Sequence, residues 1–160
     1  MAIYMQYGTV QGEVTEANHA KWIELSTFQW GIGRSIDTPI GRATNREAAV
    51  PSIAEIVITK PLDNASIGLL NAVLNDSKGT TVKIDFTKTG TGATPDVYLN
   101  YELTNTLISG YTISSGGEKP SESITLNFTK LAEKFIPYDD TNKAQPPVIR
   151  GYDLTGAKSF

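Results

Sequence analysis

The chain has 160 residues, 39% hydrophobic and 19% charged, with a net charge of −3, one histidine and no cysteine. That size suits one domain, over residues 1–160, burying roughly 70% of its unfolded surface. The acidic balance argues against nucleic-acid binding, and the missing cysteines exclude disulfides and thiolate metal sites. No run of about 18 apolar residues is available for a membrane span. The opening Met1-Ala2-Ile3-Tyr4-Met5-Gln6-Tyr7-Gly8 is not expected to act as a signal peptide.

Ile3 to Tyr7 reads as a first strand, with Gly8 and Gly12 breaking the chain after it. Trp22 to Arg34 reads as a longer β-run whose alternation changes phase. Ile23 and Leu25 are apolar at odd positions, then Phe28, Trp30 and Ile32 at even ones. Successive strand residues point to opposite faces, so such a slip predicts a bulge or a corner where the chain passes between sheets. It also leaves Gln29, Gly31 and Gly33 alone on a bare polar face.

Residues 35–50, with Pro39, Gly41, Asn45, Arg42 and Arg46, have no sustained period and predict an extended loop, preceded by Arg34. Ser52 to Lys60 predicts a strand buried on both sides. One helix follows, capped by Asp63 or Asn64 and apolar along Ile67, Leu70 and Leu74, with Leu69 and Val73 beside that stripe. Lys78 and a left-handed Gly79 are expected to close it.

Period two then returns through Val82, Ile84 and Phe86, and residues 89–95 form a turn. Val97, Leu99, Tyr101 and Leu103 share one face, continued through Leu107, Tyr111 and Ile113. Ile124, Leu126 and Phe128 follow the next turn, and the phase then moves to Leu131 and Phe135, a second candidate bulge. Residues 140–160 form a tail with a short apolar return at Val148 to Leu154. Many short strands with one helix predict a mainly β fold, a small curled barrel of two packed sheets.

The chemistry is sparse, and no cofactor, metal or catalytic set is indicated. His19 lacks the partners of a triad or metal site and reads as structural or exposed. Thr89-Gly90-Thr91-Gly92 reads as a hairpin turn, since no Gly-Lys-Ser/Thr follows it, and Gly31-Ile32-Gly33 opens no dinucleotide site. Asp139 and Asp140 are either a weak cation site or solvated. Trp22 and Trp30 are either core residues or a stacking platform. An enzymatic reading would need Glu13, Glu24 or Glu102 to pair in a cleft. A carbohydrate-binding module using Trp22, Trp30 or Tyr98 is the alternative function.

Several short segments recur in a recognisable order: Gln11-Gly12-Glu13, His19, Ile23 through Phe28-Gln29-Trp30-Gly31, and Arg34-Ser35-Ile36-Asp37. Gly41-Arg42-Ala43-Thr44-Asn45-Arg46-Glu47, Ile58-Thr59-Lys60 with Asp63 and Ser66, the 120–128 segment, and Gly151-Tyr152-Asp153-Leu154 complete the series. Together they resemble the haemolysin-coregulated protein (Hcp) family, the tube subunit of type VI secretion, along essentially the whole chain. The resemblance implies a non-enzymatic barrel with one flanking helix, six copies closing into a ring, and rings stacking into a hollow tube. It implies a contractile sheath outside, a VgrG-type spike protein at the tip, and effectors in the lumen. It further implies a cytoplasmic protein released on firing. Gln29, with Gly31, would face the lumen. The loop and tail would carry the stacking contacts, with Arg34, Arg42, Arg46, Glu47, Tyr152 and Asp153 as candidates.

Overall fold

The computed structural model describes residues 1–42, 44 and 46–160. Ala43 and Asn45, part of the 41–47 motif, lie outside the described residues. The chain runs β1 (Ala2–Tyr7), β2 (Ile23–Leu25), β3 (Thr27–Gln29), β4 (Ile32–Gly33), β5 (Ile36–Asp37), β6 (Glu47–Ala48), β7 (Ser52–Ile53) and β8 (Ile56–Pro61). It continues through helix α1 (Ala65–Asn75), β9 (Thr80–Lys88), β10 (Asp96–Ser114), β11 (Ser121–Asn127), β12 (Lys130–Phe135), β13 (Val148–Asp153) and β14 (Lys158–Ser159). Among the described residues α1 is the only α-helix, so the fold is mainly β with one helix, as expected.

The 19-residue β10 belongs to two antiparallel sheets. Its first half pairs with β9 and β12, giving the order β2–β1–β9–β10–β12–β13–β14. From Leu107 it pairs with β11, giving β10–β11–β8–β3. The sequence reading carried one face of this strand on to Leu107, whereas Leu103, Thr106 and Ile108 are the buried residues. Asn105 sits there at φ +54° in a register shift, and one extra residue turns the inward set over.

The phase change at Trp22 to Arg34 is a corner. Ser26 separates β2, paired to β1, from β3, paired to β8, and its N–H donates to Thr59 O at 2.7 Å. The second expected bulge is also a change of partner, because Phe128 and Thr129 part β11 from β12. Met5, Ile23, Val82, Ile84 and Leu103 of the first sheet meet Ile56, Ile58, Ile124 and Leu126 of the second in one core. No ladder joins β2 to β8 among the described residues, so the two sheets pack face to face without closing into a barrel.

The helix corrects the expected stripe. Ala65, Leu69 and Ala72 are buried against the core, while Ile67 and Leu74 are 73% and 72% exposed. Small residues on the inner face let the α1 backbone approach the sheet, which leaves the larger side chains outside. Asp63 supplies the cap: its Oδ1 accepts from Ala65 N–H at 3.0 Å, and Ser66 Oγ accepts from Asp63 N–H at 3.0 Å. The helix ends at Asn75, before Lys78. Gly79 serves close approach and not a left-handed turn, since a Cβ there would collide with Asn105.

Candidate functional site

The placement of Gln29 follows from its neighbours. Phe28 stacks on Tyr101 at 4.9 Å and meets Phe86 edge-on at 5.2 Å. Trp30 stands 6.0 Å from Tyr101, and its indole Nε1–H donates to Ala54 O at 3.1 Å. Both aromatic rings are half-buried against the core, so strand alternation turns Gln29 outward. Gly31 is exposed, with open space where a Cβ would stand. Trp22 lies at right angles to His19 at 4.7 Å, and both tryptophans are half-buried.

Gln29 lies on a larger surface that the sequence reading missed. The outward residues of the second sheet are Thr27, Gln29, Val57, Thr59, Ser123, Thr125, Gly110 and Thr112, matched across the β3–β8, β8–β11 and β11–β10 ladders. None of these is charged, but Glu55, exposed directly before β8 and continuing the outward alternation of Val57 and Thr59, accepts from Ser109 Oγ of β10 at the end of the face. Thr27 Oγ1 and Thr59 Oγ1 share a hydrogen bond at 2.6 Å across the first of those ladders. Its signal was alternation within Ser121 to Asn127, readable only once the strand order is known.

Under this face lies a buried ionic group. Lys60 Nζ is 2.6 Å from Glu122 Oε2 and 2.8 Å from Asp63 Oδ1, and donates to Pro61 O at 2.9 Å and Ser66 Oγ at 3.1 Å. Tyr111 Oη–H donates to the other Glu122 oxygen. Burial opposes the charge on Glu122, but hydrogen bonds from Lys60 and Tyr111 outweigh it and hold the carboxyl below its ordinary value. Burial together with Glu122 pushes the Tyr111 phenol up to about 12. The group pins the start of α1 to β8 and β11.

The 35–50 loop leaves as a thin ribbon: β4 pairs with β7 just outside it, and β5 with β6 within it. Arg34, Arg42, Arg46 and Glu47 are exposed along it, and Ile40 stands fully exposed near its tip. Tyr152 and Asp153 end β13, remote in sequence from the ribbon. Tyr152 joins Trp30, Ile32, Ile53, Leu131 and Arg150 around an apolar groove at the ribbon's base. Asp153 Oδ1 accepts from Thr155 N–H at 3.0 Å, a local turn. The structure thus brings Tyr152 near the ribbon's root and leaves the arginines along its length.

Other candidates resolve simply. Asp139 Oδ1 accepts from Thr141 N–H and Lys143 N–H, both at 2.9 Å, so it organises its own turn. Residues 89–95 join β9 to β10 as the expected hairpin loop. Glu13 and Glu24 line one surface groove with Lys119, while Glu102 stands on β10 opposite Lys83. Among the described residues, no helix is long and apolar enough to cross a membrane.

Two packed sheets sharing one long strand, one flanking helix and a protruding ribbon define a mainly β protein. A family model described as "Type VI secretion system effector, Hcp" matches residues 4–135. A solved structure described as a type six secretion system protein is 25% identical, covers 99% of each chain and has a TM-score of 0.90. Hcp1 from Salmonella typhimurium matches over 99% of this chain and 98% of its own, at 18% identity and TM-score 0.78. A type VI secretion system effector from Yersinia pestis matches over 94% and 98%, at 19% identity and TM-score 0.74. Curated protein sequences gave no match. The chain belongs to the Hcp family, the type VI secretion tube proteins. β13 and β14, with Tyr152 and Asp153, lie beyond the matched span.

Proposed function

We propose that six copies of this chain close into a ring whose rings stack into a hollow tube carrying effectors in its lumen. The hydroxyl-rich outer face of the second sheet, with Gln29 on its edge strand β3, is the observation that carries this reading. A lumen lined with hydroxyls and an amide offers hydrogen bonds to a passing cargo, with Glu55 as its one acidic group at the end of the face. Gly31 keeps that surface shallow.

Ring closure repeats one heterologous contact until the rotation returns on itself. The free edge of β3 is suited to it, because its unpaired backbone groups gain partners there. Stacking falls to the ribbon, with Arg34, Arg42, Arg46 and Glu47, and to the tail, with Tyr152 and Asp153. The subunit acts structurally, within a contractile sheath and beneath a VgrG-type spike protein. It is cytoplasmic until firing and is then expelled with its cargo. Light scattering on purified protein tests the ring: the expected mass is about six times that of the 17.3 kDa chain. A single-chain mass at high concentration refutes it.

A further inference from the structure

The stretch between β1 and β2 crosses the outer face of the first sheet and is held there by one buried side chain. His19 is 2% exposed. Its Nδ1 meets Glu16 Oε2 on the same stretch, and its Nε2 lies 2.8 Å from Asp85 Oδ2 on β9. The remaining carboxylate oxygens are also occupied. Glu16 Oε1 accepts from Asn18 N–H at 3.0 Å, and Asp85 Oδ1 accepts from the Asn100 amide on β10. Tyr4 covers the imidazole at 4.9 Å and Trp22 meets it edge-on at 4.7 Å.

The donor count decides the chemistry. An ionised carboxylate only accepts hydrogen bonds, and a neutral imidazole has one N–H to give. Both carboxylates here receive donors on each oxygen, so both ring nitrogens of His19 must donate. We propose that His19 is an imidazolium clasp that seats the β1–β2 segment on the sheet and releases it when either ring proton is lost.

The surroundings fit a lone cation among acids. Glu16 and Glu13 belong to the same segment, and Glu24 on β2 and Tyr4 on β1 line the adjoining groove. Asp85 faces the imidazole from β9, with Asn100 behind it on β10. On the same face Lys83 stands two residues along β9 opposite Glu102, and Lys134 on β12 stands opposite Asn100. Lys21 is exposed on the segment itself. Burial works against the Glu16 charge, and hydrogen bonds from Asn18 and His19 outweigh it and lower its pKa. A carboxylate lowered in the folded state adds stability above its unfolded value and loses it as pH falls. The clasp therefore loosens in acid, when Glu16 protonates.

The segment carries more than itself. Glu13 Oε1 accepts from Asn64 N–H at 3.2 Å at the start of α1, and Val10 Cγ1 lies 3.0 Å from where a Cβ on Gly68 would stand. Release of His19 thus frees a brace on the helix.

His19 is the single histidine of the chain, so imidazole ¹⁵N NMR of the full-length protein has one source. Both ring nitrogens should read as protonated at about pH 7. Losing either carboxylate should open the clasp and shift the amides of residues 10–22 and Asn64. Glu16→Gln, near the surface, and Asp85→Asn should each leave one ring nitrogen without its proton at the same pH. A bare ring nitrogen at pH 7 overturns the proposal. So does a pair of variants that leaves those amides still, or that keeps both ring nitrogens protonated.

Discussion

Replacing Lys60 with Met strands two carboxylates that the fold has already removed from water. Glu122 is fully buried and the Asp63 side chain is 8% exposed, and Lys60 Nζ lies within 2.8 Å of both. Removing one partner of a buried pair typically costs about 3–5 kcal/mol, because the other charge keeps its desolvation penalty. The upper half of that range is expected here, since one ammonium serves two anions plus Pro61 O and Ser66 Oγ. Urea denaturation of wild type and Lys60→Met at equal protein concentration measures the loss. Glu122→Gln added to Lys60→Met removes the stranded charge and should recover about 1 kcal/mol or more. The pH dependence supplies a sign. In the wild type the depressed Glu122 pKa adds stability above the ordinary carboxylate range, lost as pH falls through the folded value. Without Lys60, burial dominates and favours the protonated acid, so the variant's deficit should shrink as pH falls. A deficit under about 1 kcal/mol, or one independent of pH, would refute the reasoning.

The face of α1 can be tested by contrast: Leu69→Ala should cost about 2–5 kcal/mol in urea denaturation, whereas Ile67→Ala and Leu74→Ala should each stay within about 0.5 kcal/mol. Gly79→Ala should cost about 1–3 kcal/mol through the clash with Asn105, read as a lower denaturation midpoint. Gln29→Arg should leave the assembled mass unchanged while weakening co-purification of cargo, because Gln29 points away from the core; a lost ring would place Gln29 in a subunit contact.

The outward placement of Gln29 was legible because two aromatic residues flank it in strict alternation, and burying both rings leaves the middle side chain one direction to take. The corner at Ser26 was legible for the same reason, as a slip in phase. The ionic group was not. Lys60 and Glu122 stand 62 residues apart and meet only when β8 pairs with β11, and each residue type taken alone is ordinarily solvated. The helix misled through size: Ile67, Leu70 and Leu74 make the stronger apolar stripe, but packing selected Ala65 and Ala72 for close approach. The turnover of β10 at Asn105 left no mark, since a polar residue between Leu103 and Leu107 also fits a continuous strand. His19 read as structural, yet its partner Asp85 lies 66 residues away and emerges only from the pairing of β1 with β9.

The central claim is an assembly, and electron microscopy of the purified full-length protein addresses it most directly. Class averages should show a six-fold annulus around an open channel, with the hydroxyl-lined sheet of each subunit facing inward. Isolated particles of single-chain size, or a closed assembly with that sheet buried between subunits, would contradict the account.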